Sequence, residues 1–209
     1  MQMAQRQHFI HISYTSSWEC ANEASSGLTD LADNWGLEVP QLVPQLMQLF
    51  EKHPNTVSRQ VVPVLLGRIG PPAKAAVPML LRATTDPDDY VRNNAVYALG
   101  QIHAQPALTV PALIKSLDDS ADFTRMNAAR ALASFSQDAR PAVPALLRLL
   151  AREQTNSVTN PGAIQNFNSI WGPSVNSPRK FWPNIDVLGP TTEALRTIDP
   201  DAAAQAGIK

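Results

Sequence analysis

One cysteine, Cys20, stands in a chain of 209 residues. No intrachain disulfide can form, and a cysteine-based zinc site is excluded. Glycine is sparse at 9 residues, and neither a glycine-rich phosphate loop nor a Gly-x-Ser-x-Gly elbow occurs. No Asn-x-Ser/Thr sequon is present. Residues 1–14 hold no long apolar run, so no signal peptide or membrane-spanning helix is visible there, and a cytoplasmic protein is expected. Charge of one sign is also lacking. Lys and Arg number 17 and Asp and Glu 18, a net charge of −1. A dedicated nucleic-acid binder should be strongly basic, so the balance argues against nucleic acid as the partner. The charge is unevenly spread, at 1 basic against 5 acidic residues over 1–38, 11 against 8 over 39–150, and 5 against 5 over 151–209.

Catalytic chemistry finds little to work with. His8 and His11 have the spacing of a metal pair but lack the Glu that follows the first His in a zinc-protease helix. His53 and His103 stand alone. Asp88-Asp89 and Asp118-Asp119 read first as turn and N-cap residues. The expectation is therefore a protein that is not an enzyme, with no catalytic residue, no metal ligand and no cofactor.

Proline, by contrast, is abundant at 18 residues, and part of it keeps a beat. Val43-Pro44, Val77-Pro78, Val110-Pro111 and Val143-Pro144 recur at an almost constant step along the chain. Arg59, Arg92 and Arg125 keep the same interval of 33. A fixed period of this size marks a solenoid, in which each repeat cannot bury its apolar face alone. Within one unit, Pro78 suits the first turn of a helix, where its missing N–H is no loss. Val77, Leu80, Leu81 and Ala83 then form an apolar stripe. Thr85-Asp86-Pro87-Asp88-Asp89 breaks the helix, and Val91, Ala95, Val96, Ala98, Leu99 and Ile102 line a second one. The next unit repeats the plan. Its first helix starts at Pro111 with Leu113, Ile114 and Leu117, and its second carries Met126, Ala128, Ala129, Ala131, Leu132 and Phe135. The first unit offers Leu46, Met47 and Leu49, then Val61, Val64, Leu65, Leu66 and Ile69. Pro63 there should kink the second helix or delay its start. Alanines at 95, 98, 128 and 131 allow close helix packing.

The pattern Val-Pro-x-Leu-Leu, an Asp turn, then Val-Arg-x-x-Ala-x-x-Ala-Leu-Gly-x-Ile resembles the HEAT repeat, in its short bacterial form of about 33 residues. The resemblance spans roughly residues 39–150 and resumes near 190–208. It implies an all-α, right-handed α-solenoid of about four helix pairs with terminal caps, the second helices lining a concave face. It also implies a structural ladder between repeats, built from a turn Asp and an Arg six residues on. Asp86 with Arg92 and Asp119 with Arg125 match that spacing, whereas Arg59 has His53 in the acidic position. The repeated His-Glu pairs of the iron-binding HEAT hydroxylase are absent.

Four regions follow: an N-terminal segment 1–38, the repeats at 39–152, an insertion at 153–189, and 190–209 with the second helix of the last repeat and a cap. Trp18, Ala21, Ala24, Leu28, Leu31 and Trp35 form the stripe of a capping helix over 17–36. Asp199-Pro200 can start a short helix ended by Gly207. In the third repeat Ala131-Leu132 follows Pro111 at the regular distance, but in the fourth Ala194-Leu195 follows Pro144 only after a long insertion. This insertion carries Phe167, Trp171, Arg179, Lys180, Phe181 and Trp182, and aromatic residues with Arg are the usual anchors of interfaces.

The resemblance implies a non-catalytic interaction or scaffold module that presents a curved face to a protein or peptide partner. Candidate contacts on the second helices are Asn93, Asn94, Gln101, Asn127 and Arg130, with Gln60. In the insertion they are Trp171, Arg179, Phe181 and Trp182. Alternatives are a HEAT-like enzyme or accessory factor, of chromophore-lyase or DNA-glycosylase type, and a structural piece of a larger repeat protein.

Overall fold

The structure, a computed structural model, describes residues 39–52, 56–159 and 186–208. Every described element is a helix. A 3-10 turn at Val39–Leu42 leads into α1 (Val43–Lys52), followed by α2 (Thr56–Ile69). A second 3-10 turn, Pro71–Ala76, leads into α3 (Val77–Ala83), followed by α4 (Asp89–Ile102). Next come α5 (Pro106–Ser116) and α6 (Asp122–Ser134). The 3-10 turn Ser136–Ala142 introduces α7 (Val143–Thr159), and α8 (Leu188–Ile198) and α9 (Pro200–Gln205) complete the array. The pairs α1/α2, α3/α4, α5/α6 and α7/α8 are the four repeats of an all-α helical solenoid. The second helices α2, α4, α6 and α8 stack in that order and form its most closely packed layer.

One apolar core runs the length of the array. Leu66, Leu80, Leu99, Leu113, Leu132, Leu146 and Leu195 are all fully buried. The periodic positions of the second and third units, Val91, Ala95, Val96, Ala98, Leu99 and Ile102, then Ala128, Ala129, Ala131, Leu132 and Phe135, are buried as expected. Leu49 departs from the expected stripe of α1. It is 40% exposed, while Val43 and Leu46 face the core.

Punctuation follows the local chemistry. Asp88 caps α4, its Oδ1 accepting from the N–H groups of Tyr90 (2.8 Å) and Val91 (3.1 Å). Asp199 caps α9 by accepting from Ala202 N–H at 3.0 Å, and Gly207 ends the array at φ +76°. Between repeats the backbone turns through a positive φ at one fixed place in the repeat: Gly70 (71°), His103 (50°) and Ser136 (48°). Only the first of these is glycine, the residue that adopts such a φ without steric cost.

Three boundaries differ from expectation. α5 begins at Pro106 rather than at Pro111, because Pro106 already presets the first-turn φ and nothing between the two breaks the helix. Pro111 thus lies inside the helix, on its exposed side. α2 begins at Thr56 and continues past Pro63 to Ile69, so the expected late start does not occur. α7 extends through 153–159, and α8 starts at Leu188, slightly before the expected 190. No helix among the described residues is long and apolar enough to cross a membrane.

Candidate functional site

The second helices meet across three successive interfaces, and the residues that join them repeat in register. Arg92 reads two turns at once. Arg92 donates through Nη1 to the backbone carbonyl of Asp86, earlier in its own repeat, at 2.9 Å. Its Nε and Nη2 grip the carboxylate of Asp119 in the next repeat, at 2.7 and 2.9 Å. Arg59 likewise pairs with the Asp86 carboxylate. The rungs therefore run from each Arg to the acid of the following repeat, so Arg59 has its partner although His53 stands in the acidic place of its own unit. Arg125 finds no Asp one repeat on. Its Nη2 donates instead to Glu153 on α7 at 2.9 Å and forms an ion pair with Asp122 at 2.7 Å. The Nε of Arg125 is buried without a partner among the described residues, so this last rung lacks the two-pronged geometry of Arg92.

These contacts set the charge state. The hydrogen bond to Asp119 is the main cause raising the Arg92 guanidinium above its ordinary value, against the opposing effect of burial. Burial pushes the Asp119 carboxyl up. The hydrogen bonds from Arg92 and from Ala121 N–H outweigh it and hold the group below the ordinary carboxylate value.

A second, neutral rail lies beside the first. Asn94 Nδ2 donates to the Gln60 carbonyl at 2.8 Å, and Gln60 Nε2 in turn donates to Asp88 Oδ2 at 3.2 Å. Asn93 Nδ2 donates to Asn94 Oδ1 at 3.2 Å, and Asn127 Nδ2 donates to Asn93 Oδ1 at 2.8 Å. The expectation that Asn93 and Asn94 lie on an exposed face does not hold. They are buried, at 8% and 6% exposure, because their amides serve each other and the neighbouring repeat. Asn127 is half-buried, while Gln101 and Arg130 are exposed. Trp171, Arg179, Phe181 and Trp182 lie outside the described residues, as do the capping helix over 17–36, His8, His11 and His53.

Sequence reasoning missed a third register. Tyr90 and Phe123, at matching places of successive repeats, stack with ring centres 5.7 Å apart. Gly67 and Gly100 occupy one position of successive second helices. A Cβ on Gly67 would lie 2.9 Å from Ala98 Cα, and one on Gly100 would lie 2.7 Å from Ala131 Cβ. The signal was available in the spacing of Gly67 and Gly100 and of Ala98 and Ala131, each pair one repeat apart. His103 is similarly structural. Its ring stacks on Phe135 at 4.5 Å and its Nε2 lies 2.8 Å from the Ser134 carbonyl.

The neutral, aromatic and glycine registers lapse at the interface of α6 with α8. Ala133 replaces the close-contact glycine, and Gly189 and Pro190 fall where Met126 and Asn127 stand in the repeat before. An open depression of about 310 Å³ results, lined by Arg130, Ala133, Gly189, Pro190 and Glu193. Arg130 forms no ion pair among the described residues, and Glu193 lies 3.8 Å from Arg196 on its own helix. No group of three or more His, Cys, Asp or Glu side chains among the described residues is placed to hold a metal ion.

Residues 43–122 match the family model of HEAT repeats. No curated protein matches the chain. HEAT repeats generally mediate protein–protein interaction and are typically non-catalytic. The match spans α1 to α5 and the first residue of α6, so residues 43–122 are HEAT repeats, and they hold the rungs from Arg59 to Asp86 and from Arg92 to Asp119.

Proposed function

We propose that the chain is a non-catalytic interaction module that presents the face of its second helices to a protein or peptide partner. The observation that carries this reading is the double rail across α2, α4 and α6, ionic through Arg92 and Asp119 and neutral through Asn93 and Asn127. It fixes the spacing of the helices before any partner arrives. A face ordered in advance loses less conformational freedom on association, so more of the contact energy appears as affinity. Nucleic acid fits the face less well, because Arg59, Arg92 and Arg125 are already engaged with carboxylates.

The test compares two surface variants of the full chain as baits in host lysate, read by quantitative mass spectrometry. Gln101→Glu with Arg130→Glu alters the second-helix face. Lys115→Glu with Arg148→Glu alters exposed positions on the first helices. A partner lost with the first pair and retained with the second supports the reading. A partner lost only with the second pair overturns it.

A further inference from the structure

The depression between α6 and α8 is the place where a solenoid built to a strict register leaves room. Three substitutions in the repeat coincide there. Ala133 stands where Gly100 lets α4 and α6 close, so the interface of α6 with α8 lacks the glycine of the preceding ones. Gly189 lines the facing wall with backbone alone, the place of its missing Cβ lying against the Asp186 carboxylate. Pro190 lies where Asn94 and Asn127 each reach back to the preceding repeat, and it has no donor to reach with. The neutral rail thus stops at Asn127. Asn127 Nδ2 is engaged with Asn93, and no described residue donates to its Oδ1. One turn further along the same face is Arg130, exposed and without an ion pair among the described residues. A guanidinium at the rim of an apolar floor of Ala133 and Pro190 suits a carboxylate carried next to a small apolar side chain, since charge-assisted bonds to Arg strengthen where water is partly excluded. Glu193 on the opposite wall has its own cation, Arg196, on the same helix.

We infer that the depression lined by Arg130, Ala133, Gly189, Pro190 and Glu193 is a docking site for an extended peptide bearing an acidic side chain beside a small apolar one. The inference rests on the second-helix face being an interaction surface and names the chemistry of its partner. Arg130 takes the carboxylate, and the apolar residue fills the floor of Ala133 and Pro190. The depression is open, so the peptide runs through it rather than ending in it.

The test uses the full chain, isotopically labelled, and a set of acetylated, amidated hexapeptides. Each carries one glutamate flanked by alanine, valine or proline, and a matched set carries glutamine instead. Glutamate peptides are expected to shift the amide signals of Arg130, Ala133 and Gly189, with at least fivefold weaker binding of the glutamine set. Arg130→Gln should abolish that difference, Arg130→Lys should retain part of it, and Glu193→Gln should tighten the glutamate set. Melting temperature should stay constant across the three variants. Equal binding of both sets, or no binding by either, overturns the inference. Shifts confined to other second-helix residues, such as Gln101, overturn it while leaving the broader reading intact.

Discussion

Arg92 and Asp119 belong to successive repeats and meet through two parallel hydrogen bonds, Nε to Oδ2 at 2.7 Å and Nη2 to Oδ1 at 2.9 Å. Both side chains are mostly shielded, at 15% and 10% exposure. Asp119 also accepts from Ala121 N–H at 2.8 Å, so one carboxylate fixes its own turn and the preceding arginine. Asp119→Ala should therefore destabilise the protein by roughly 2–3 kcal/mol, the range for charged hydrogen bonds that leave a shielded partner behind. Urea denaturation measures this directly. A double-mutant cycle with Arg92→Ala should give a coupling above about 1 kcal/mol, as contacting residues do. Additive effects would show that the pair contributes nothing jointly.

The same pair predicts a pH dependence. The Asp119 carboxyl is held below its ordinary value in the folded protein. Its contribution to stability is complete above the unfolded carboxylate value of about 3.9 and is lost as pH falls through the lower folded value. The denaturation midpoint of the parent protein should thus drop more steeply below about pH 4 than that of Asp119→Asn, which has no proton to gain there. Parallel acid limbs for the two proteins would contradict the assignment.

Gly100 tests the close approach of α4 and α6. A methyl group added there meets Ala131 Cβ at 2.7 Å, inside any normal contact. Alanine gains about 1 kcal/mol of helix propensity over glycine. Overpacking at a well-filled interface costs roughly 1–3 kcal/mol and should win. Gly100→Ala is expected to destabilise, and Ala131→Gly in the same chain should restore part of the loss by vacating the space. If Gly100→Ala is stabilising on its own, the two helices are farther apart than described.

Much of this arrangement was legible in the sequence because it is periodic. Val77, Leu99 and Leu132 announce the core by spacing alone, and the Arg beat announces the ionic rail. What spacing could not supply was direction. Asp86 and Arg92 have the ladder spacing within one repeat, yet the carboxylate of Asp86 belongs to Arg59 and the guanidinium of Arg92 to Asp119. Nor could it distinguish a solvated amide from a buried one. Asn93 and Asn94 look like surface residues by type, and become interior only because Gln60 and Asn127 of the flanking repeats satisfy them. The depression beside Arg130 was illegible for a related reason. It arises where Gly189 and Pro190 occupy repeat positions displaced by the insertion, so the period no longer aligns them.

The inter-repeat turns offer a contrast between two residues of the same backbone geometry. His103 and Ser136 both hold a positive φ, 50° and 48°. A left-handed conformation costs an ordinary residue about 1–2 kcal/mol, and glycine largely escapes that cost while losing more freedom on folding. Ser136 is exposed. Ser136→Gly should therefore stabilise by roughly 0.5–1 kcal/mol. His103→Gly relieves the same strain but removes the ring stacked on Phe135 and the bond to the Ser134 carbonyl, so it should be neutral or destabilising. Thermal melts of the two variants decide the matter. Equal stabilisation by both would mean that the histidine ring contributes nothing to the turn.

Leu195 tests whether α8 is an integral part of the array despite the segment 160–185 that separates it from the end of α7. It is fully buried, as Leu99 and Leu132 are at the matching places of α4 and α6. α8 packs on both α6 and α7, with Ala194 and Ile198 also buried. If the fourth repeat folds cooperatively with the rest, Leu195→Ala should cost roughly 2–5 kcal/mol in a single unfolding transition, matching Leu99→Ala and Leu132→Ala. If α8 is held only loosely, Leu195→Ala should instead split off a separate early transition and leave the main one unmoved. Nearest-neighbour coupling in a solenoid makes the distinction sharp, because an end repeat that detaches uncovers the face of α6 without unfolding it. Far-UV circular dichroism against urea, with hydrogen exchange at α8 as a local readout, separates the two outcomes.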